Sequence, residues 1–217
     1  MRLGLLAFLV TGMIQAQEPA KAAKQPLQLR GDRFRGLAYD EMTAEQKALT
    51  DRALAGRGTI GTFNILLRSP GLTEAIRGTA GGRAGSPLTQ KLSELAIIIN
   101  ARYWTTQFEW LVHHRAAVQA GISETTVKAI AEGRRPASMP PDEEVVYNFV
   151  RELLKTKQVS DPTFAAAKSL LGERGIVDLL GLVGFYQATS LMMNVDRYPM
   201  QGPDQKPELK KLASTLP

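Results

Sequence analysis

The 217-residue sequence contains two histidines, the adjacent pair His113 and His114, and no cysteine. Thiol nucleophiles, thiolate metal sites, disulfides and cysteine redox cycles are therefore excluded. Acid–base chemistry remains, because an imidazole exchanges its proton near neutral pH. Adjacent residues on a helix point about 100° apart, so the two histidines cannot serve one site. Glu109 lies four residues before His113, on its face, and Trp110 lies four before His114, on the other. His113 with Glu109 is the candidate acid–base pair, and His114 reads as a packing residue. Glu94 stands on the preceding helical stretch, beside the all-apolar run Leu95–Ile99. It meets the pair if the chain reverses between them.

The elements that must produce that meeting are helical. No strand pattern persists, whereas helix punctuation recurs. Thr43 with Gln46 forms a capping box that opens a helix to about Leu54. A short helix over Thr62–Arg68 precedes Pro70, which starts another near 70–80. Gly78, Gly81, Gly82 and Gly85 predict a mobile loop. Apolar residues from Leu88 to Ile99 recur at helical spacing, giving a helix over 88–103 whose Leu95–Ile99 turn is buried all round. Thr106 followed by Glu109 repeats the capping pattern, so the helix breaks near Trp104 and a second one runs from Thr106 to Ala120. Gly121 ends it and Ser123 caps the next, with Ile122 and Val127 as a hydrophobic staple. Helices over 141–156 and from Asp161 to Gly172 follow. The last, Gly175–Val195, is nearly all apolar, and Asp178 and Gln187 favour a core or subunit-interface helix over a membrane span. The fold class is all-α, a single domain of about seven or eight helices.

Each candidate residue also has a plainer reading. Glu109 at the third position of a capping box would bond the Thr106 backbone N–H. Glu94 would pair with Lys91 on a solvated face. A metal held by Glu94, Glu109 and His113 matches no closed ligand signature, so no metal and no cofactor is expected.

The segment ELAIIINARYWTTQFEWLVHHRAAVQAGIS, residues 94–123, resembles the core of the carboxymuconolactone decarboxylase and alkyl hydroperoxidase D-like family. The likeness extends over roughly residues 60–195 and includes the apolar last helix. The family's glutamate falls on Glu94, its two cysteine positions on Thr106 and Glu109, and its histidine on His113. The resemblance implies an alkyl hydroperoxidase D-like helical fold, a homo-oligomer and a small-molecule substrate. The peroxidase branch needs the cysteine pair, and a threonine cannot become a thiolate. The decarboxylase branch instead implies cofactor-free loss of CO₂ from a small carboxylated lactone or related acid. Arg102 or Arg115 would hold the substrate carboxylate. Tyr103, Trp104 and Thr106 would line the substrate pocket.

Composition and the chain ends set the context. Hydrophobic residues make up 44% and charged residues 22%, with a net charge of +6. That suits a globular core and excludes dominant disorder. No basic run with interleaved aromatics is present, so no nucleic-acid partner is expected. Residues 1–16 read as a signal peptide: Arg2, an apolar stretch from Leu3 to Ile14, then Gln15-Ala16. The stretch falls short of the roughly 20 residues a membrane span needs, so no stable membrane insertion is expected after its removal. The protein is then exported, periplasmic or secreted. Residues 17–30 form a flexible lead-in, 31–198 the helical domain and 199–217 a tail over the surface.

Overall fold

A computed structural model describes residues 29–55, 61–81, 85–200 and 207–210. Among them there are eight α-helices, one short 3₁₀ turn (Tyr39–Glu41) and no strand. The helices are α1 (Ala44–Ala55), α2 (Phe63–Leu66), α3 (Pro70–Gly81), α4 (Gln90–Trp104), α5 (Gln107–Gln119), α6 (Glu124–Ala131), α7 (Pro141–Thr156) and α8 (Asp161–Asp196). The residues expected to form the signal peptide, and most of the expected lead-in, lie outside the described residues.

α4 is the axis of the molecule. Every residue from Leu92 to Arg102 is buried, because α5, α6, α7 and α8 pack around it. Leu95, Ile98 and Ile99 are at most 1% exposed, which is the all-round burial that their unbroken apolar run requires. A second, smaller cluster joins Met42, Leu49, Ala53, Phe63 and Leu67 around α1 and α2.

Local chemistry sets most of the boundaries. Thr43 and Gln46 exchange reciprocal capping bonds at α1. The Thr89 hydroxyl accepts the Leu92 N–H at α4, and the Ser123 hydroxyl accepts the Thr126 N–H at α6. Ile122 and Val127 are both buried, completing the staple at α6. α3 differs from expectation: it continues through Gly78 to Gly81, so the expected glycine loop shrinks. Residues 82–84 of that loop lie outside the described residues.

Gly172 divides α8 into two arms. Its backbone sits at φ 66°, ψ 176°, a region open essentially to glycine alone. The arm beyond it buries Ile176, Leu179, Leu182, Val183 and Met193 against the core. Its opposite face leaves Val177, Leu180, Leu191 and Val195 exposed. By length and composition α8 is also apolar enough to cross a membrane.

Two end segments are tied to this frame. Asp196, fully buried at the end of α8, accepts the N–H groups of Phe34 at 2.7 Å and Asp32 at 3.2 Å. Gly31 is needed there, since a Cβ would meet the Phe34 carbonyl oxygen at 2.0 Å. Residues 207–210 depart from the expected surface tail. Leu209 is 4% exposed in the main core, and the Gln107 amide clasps both its backbone groups, at 2.7 and 3.0 Å.

Gly172→Ala meets no atom, so its cost is purely conformational. It should lower the unfolding free energy by about 1–3 kcal/mol in urea titrations. Gly71→Ala, in the first turn of α3 with open space around it, should be neutral or stabilise by up to about 1 kcal/mol.

Candidate functional site

The chain turns back between α4 and α5 at Thr105, which adopts a left-handed conformation (φ 53°, ψ 40°). The Thr106 N–H bonds the Ala101 carbonyl at 2.9 Å and closes the end of α4. Within two residues α5 has started antiparallel to α4, and Glu94 faces His113 across the pair. The His113 Nδ1 lies 2.8 Å from Glu94 Oε2. An ionised Glu94 can only accept, so Nδ1 donates to it, and in the neutral ring Nε2 is then the bare nitrogen. The other Glu94 oxygen, Oε1, accepts from the Gln90 amide at 2.5 Å. The carboxylate is 5% exposed and held at both oxygens, while the imidazole keeps 18% of its side-chain surface open. Tyr186 of α8 packs edge-on to the imidazole, ring centroids 4.9 Å apart. Gln90 and Tyr186 were not visible as site residues in the sequence. Gln90 stands one helical turn before Glu94, a spacing that could have suggested it. Tyr186 comes from a helix more than 70 positions on, and no local pattern links the two.

Glu109 neither caps α5 nor joins His113. Thr106 occupies the cap position of α5, but its hydroxyl caps no backbone N–H and is buried without a protein partner. The Glu109 carboxyl is 2% exposed and turns toward α8, where Ser190 Oγ donates to its Oε2 at 2.5 Å. Asn100 of α4 donates in turn to Ser190 Oγ at 3.2 Å. Burial pushes the Glu109 carboxyl up to about 8, and the serine bond opposes only part of that rise. At neutral pH the group is therefore uncharged and can donate a proton. With Glu109 turned away, Glu94, Glu109 and His113 do not converge, and among the described residues no group of three or more His, Asp or Glu is placed to hold a metal ion.

The four residues expected to bind substrate have contacts elsewhere. Arg102 is 2% exposed and donates to the Lys210 carbonyl at 2.8 Å. The Tyr103 hydroxyl accepts from Lys157 at 2.9 Å. The Trp104 carbonyl accepts from Asn194 at 2.8 Å. Thr106 lines a cleft of about 360 Å³ with Phe108, Met193, Asn194 and Tyr198. The reason is geometric: Arg102 lies eight residues beyond Glu94, two turns along α4 and toward α7. His114 packs as expected, stacked on Trp110 and bonded to its carbonyl at 2.7 Å.

No protein-family model matches the sequence, and no curated protein matches it. The fold does have a counterpart. A crystal structure of a protein of unknown function from Agrobacterium tumefaciens, provisionally described as the antioxidant defence protein AhpD, superposes with a TM-score of 0.55. The match covers 65% of this chain and 100% of that one, at 16% identity. The chain thus has an all-helical, AhpD-like fold.

The Glu109 burial has a signed consequence for stability. Its carboxyl pKa is higher in the folded than in the unfolded chain, so folding is best supported below about pH 4.5, where both states are protonated. That support declines as pH rises and is gone above about pH 8. Glu109→Gln should flatten this decline and exceed the parent's unfolding free energy at pH 8.5 by more than about 1 kcal/mol in urea titrations.

Proposed function

We propose that the protein performs cofactor-free acid–base chemistry, decarboxylation or proton transfer, on a small carboxylated lactone or related acid. The observation that carries this reading is the Glu94–His113 pair, with Nδ1 anchored at 2.8 Å and the imidazole partly open to solvent. Glu94 fixes the ring's orientation and tautomer. Gln90 holds the carboxylate in place, and Tyr186 restricts the ring from the side. In a decarboxylation, the bond between substrate carbon and carboxylate breaks and CO₂ leaves. The electron pair moves into the conjugated lactone carbonyl. The His113 imidazolium then delivers its Nε2 proton to carbon and regains one from water. Hydroperoxide reduction, the activity of the thiol-bearing branch, lacks its reagents here, since the chain has no cysteine.

The same reading places the protein outside the cytoplasm, on the strength of residues 1–16, and in a homo-oligomer. The exposed face of α8 supports the second point. Val177, Leu180, Leu191 and Val195 repeat at helical spacing, and Gly181 and Gly184 between them meet no other atom, so a second helix can approach closely.

The test of the chemistry is a panel of carboxylated lactones and 2-oxo acids, followed by CO₂ release and deuterium uptake from solvent. Glu94→Gln and His113→Ala should each lower kcat/KM by about 10²–10⁴-fold with helix content unchanged. If no compound turns over, or both variants match the parent, the chain is a binding or assembly module that keeps the fold without the chemistry. Val177→Glu combined with Leu191→Glu should lower the mass measured by light scattering to that of one chain. An unchanged mass would remove α8 from the interface.

A further inference from the structure

A cleft of about 640 Å³ opens between α5 and α6, on a different face of α5 from His113. Its size lies within the roughly 300–1,000 Å³ of small-molecule sites. Helical spacing builds it. Trp110, His114 and Val118 stand four residues apart, so they form one stripe along α5. Val127 and Ala131, also four apart, form the facing stripe on α6. The turn at Gly121 (φ 102°) folds the two helices toward each other.

The base of the cleft is aromatic. Trp110 is buried, and His114 stacks on it with ring planes 11° apart and centroids 5.6 Å apart. His114 Nδ1 donates to the Trp110 carbonyl at 2.7 Å, which holds the imidazole against the indole. The imidazole keeps 20% of its side-chain surface open and borders the cleft. Val118, Val127 and Ala131 make the walls apolar.

The rim carries both signs of charge. Arg115 and Lys128 border the cleft, are exposed, and form no ion pair among the described residues. Lys128 acts on Glu132 only through space. Glu124 and Glu208 border it too, and Glu208 lies 3.6 Å from His114 Nδ1. A simple anion would meet the two carboxylates, and a hydrocarbon would leave all four charges unanswered.

We propose that this cleft binds a zwitterionic aromatic molecule of the aromatic amino acid class, with its ring against His114 and the valines, its carboxylate answered by the cations of the rim and its ammonium by the carboxylates. A flat ring extends the existing stack, and the guanidinium of Arg115 can grip a carboxylate with two parallel N–H bonds. The cleft shares no residue with the Glu94–His113 pair, so either can fail without the other.

Calorimetric titration of the whole chain with L-phenylalanine tests this, beside L-alanine, which lacks the ring, and 3-phenylpropionate, which lacks the ammonium. L-Phenylalanine is expected to bind saturably, and each comparison compound about tenfold more weakly or worse. Val118→Glu, which puts a charge on the apolar wall, and Arg115→Ala should each weaken binding about tenfold or more. Val112→Glu is the control, because Val112 is as exposed as Val118 on the same helix but stands outside the cleft; it should leave binding unchanged. No saturable binding of L-phenylalanine, equal binding of either comparison compound, or equal losses in Val118→Glu and Val112→Glu would overturn the proposal. So would a loss confined to His113→Ala, which would put the ligand at the Glu94–His113 pair instead.

Discussion

The reversal of the chain at Thr105 is the constraint from which the site follows. A threonine in the left-handed region costs roughly 1–2 kcal/mol relative to an ordinary helical residue. Here it is held by the Thr105 and Thr106 N–H groups bonding back to α4 and by the packing of α5 along it. That turn stops α4 after Trp104 and starts α5 at Gln107. It sets His113 opposite Glu94 rather than beside solvent. A helix continuing through residues 104–107 would carry His113 nearly 30 Å from Glu94, at about 1.5 Å per residue. The 2.8 Å contact exists because the chain gives up one helical turn.

Burying α4 on all sides brings polar groups inside with the apolar ones, and the interior handles them in two ways. Glu94 is satisfied at both oxygens, by Gln90 and His113. Glu109 has one firm partner, Ser190, and burial keeps its carboxyl uncharged at neutral pH. The two carboxyl groups thus have different surroundings, one paired to an imidazole on α5 and one buried against α8. That separation is what allows a single carboxylate, rather than a competing pair, to orient His113.

Much of this frame was legible in the sequence, because it is written in local chemistry. The capping box at Thr43, the cap at Ser123, the staple of Ile122 and Val127, and the glycine at 172 act within a few residues of themselves. The Leu95–Ile99 run announces a helix with no solvent face. The break between α4 and α5 was legible from Thr106 and Glu109, although the capping bond that the pattern suggests is not made. Glu109 was read as a cap or as a catalytic group; the cap is not made, because Ser190, 81 residues away, is its hydrogen-bond partner inside the core. The same distance hid Tyr186. Arg102, Tyr103, Trp104 and Thr106 follow Glu94 closely in sequence, but helix rotation and the turn at Thr105 give them other neighbours. Proximity along the chain was a poor guide once a helix was buried all round.

Glu94 can arm His113 only if the neutral ring holds its proton at Nδ1 and leaves Nε2 bare. Nitrogen-15 chemical shifts of the imidazole, read in long-range proton correlation spectra of the labelled protein at a pH where the ring is neutral, report this directly. The predicted result is a protonated Nδ1 and a bare Nε2, reverting toward the mixture of tautomers of free histidine in Glu94→Gln. A proton on Nε2 in the parent protein, or shifts indifferent to Glu94, would contradict the claim that Glu94 arms His113.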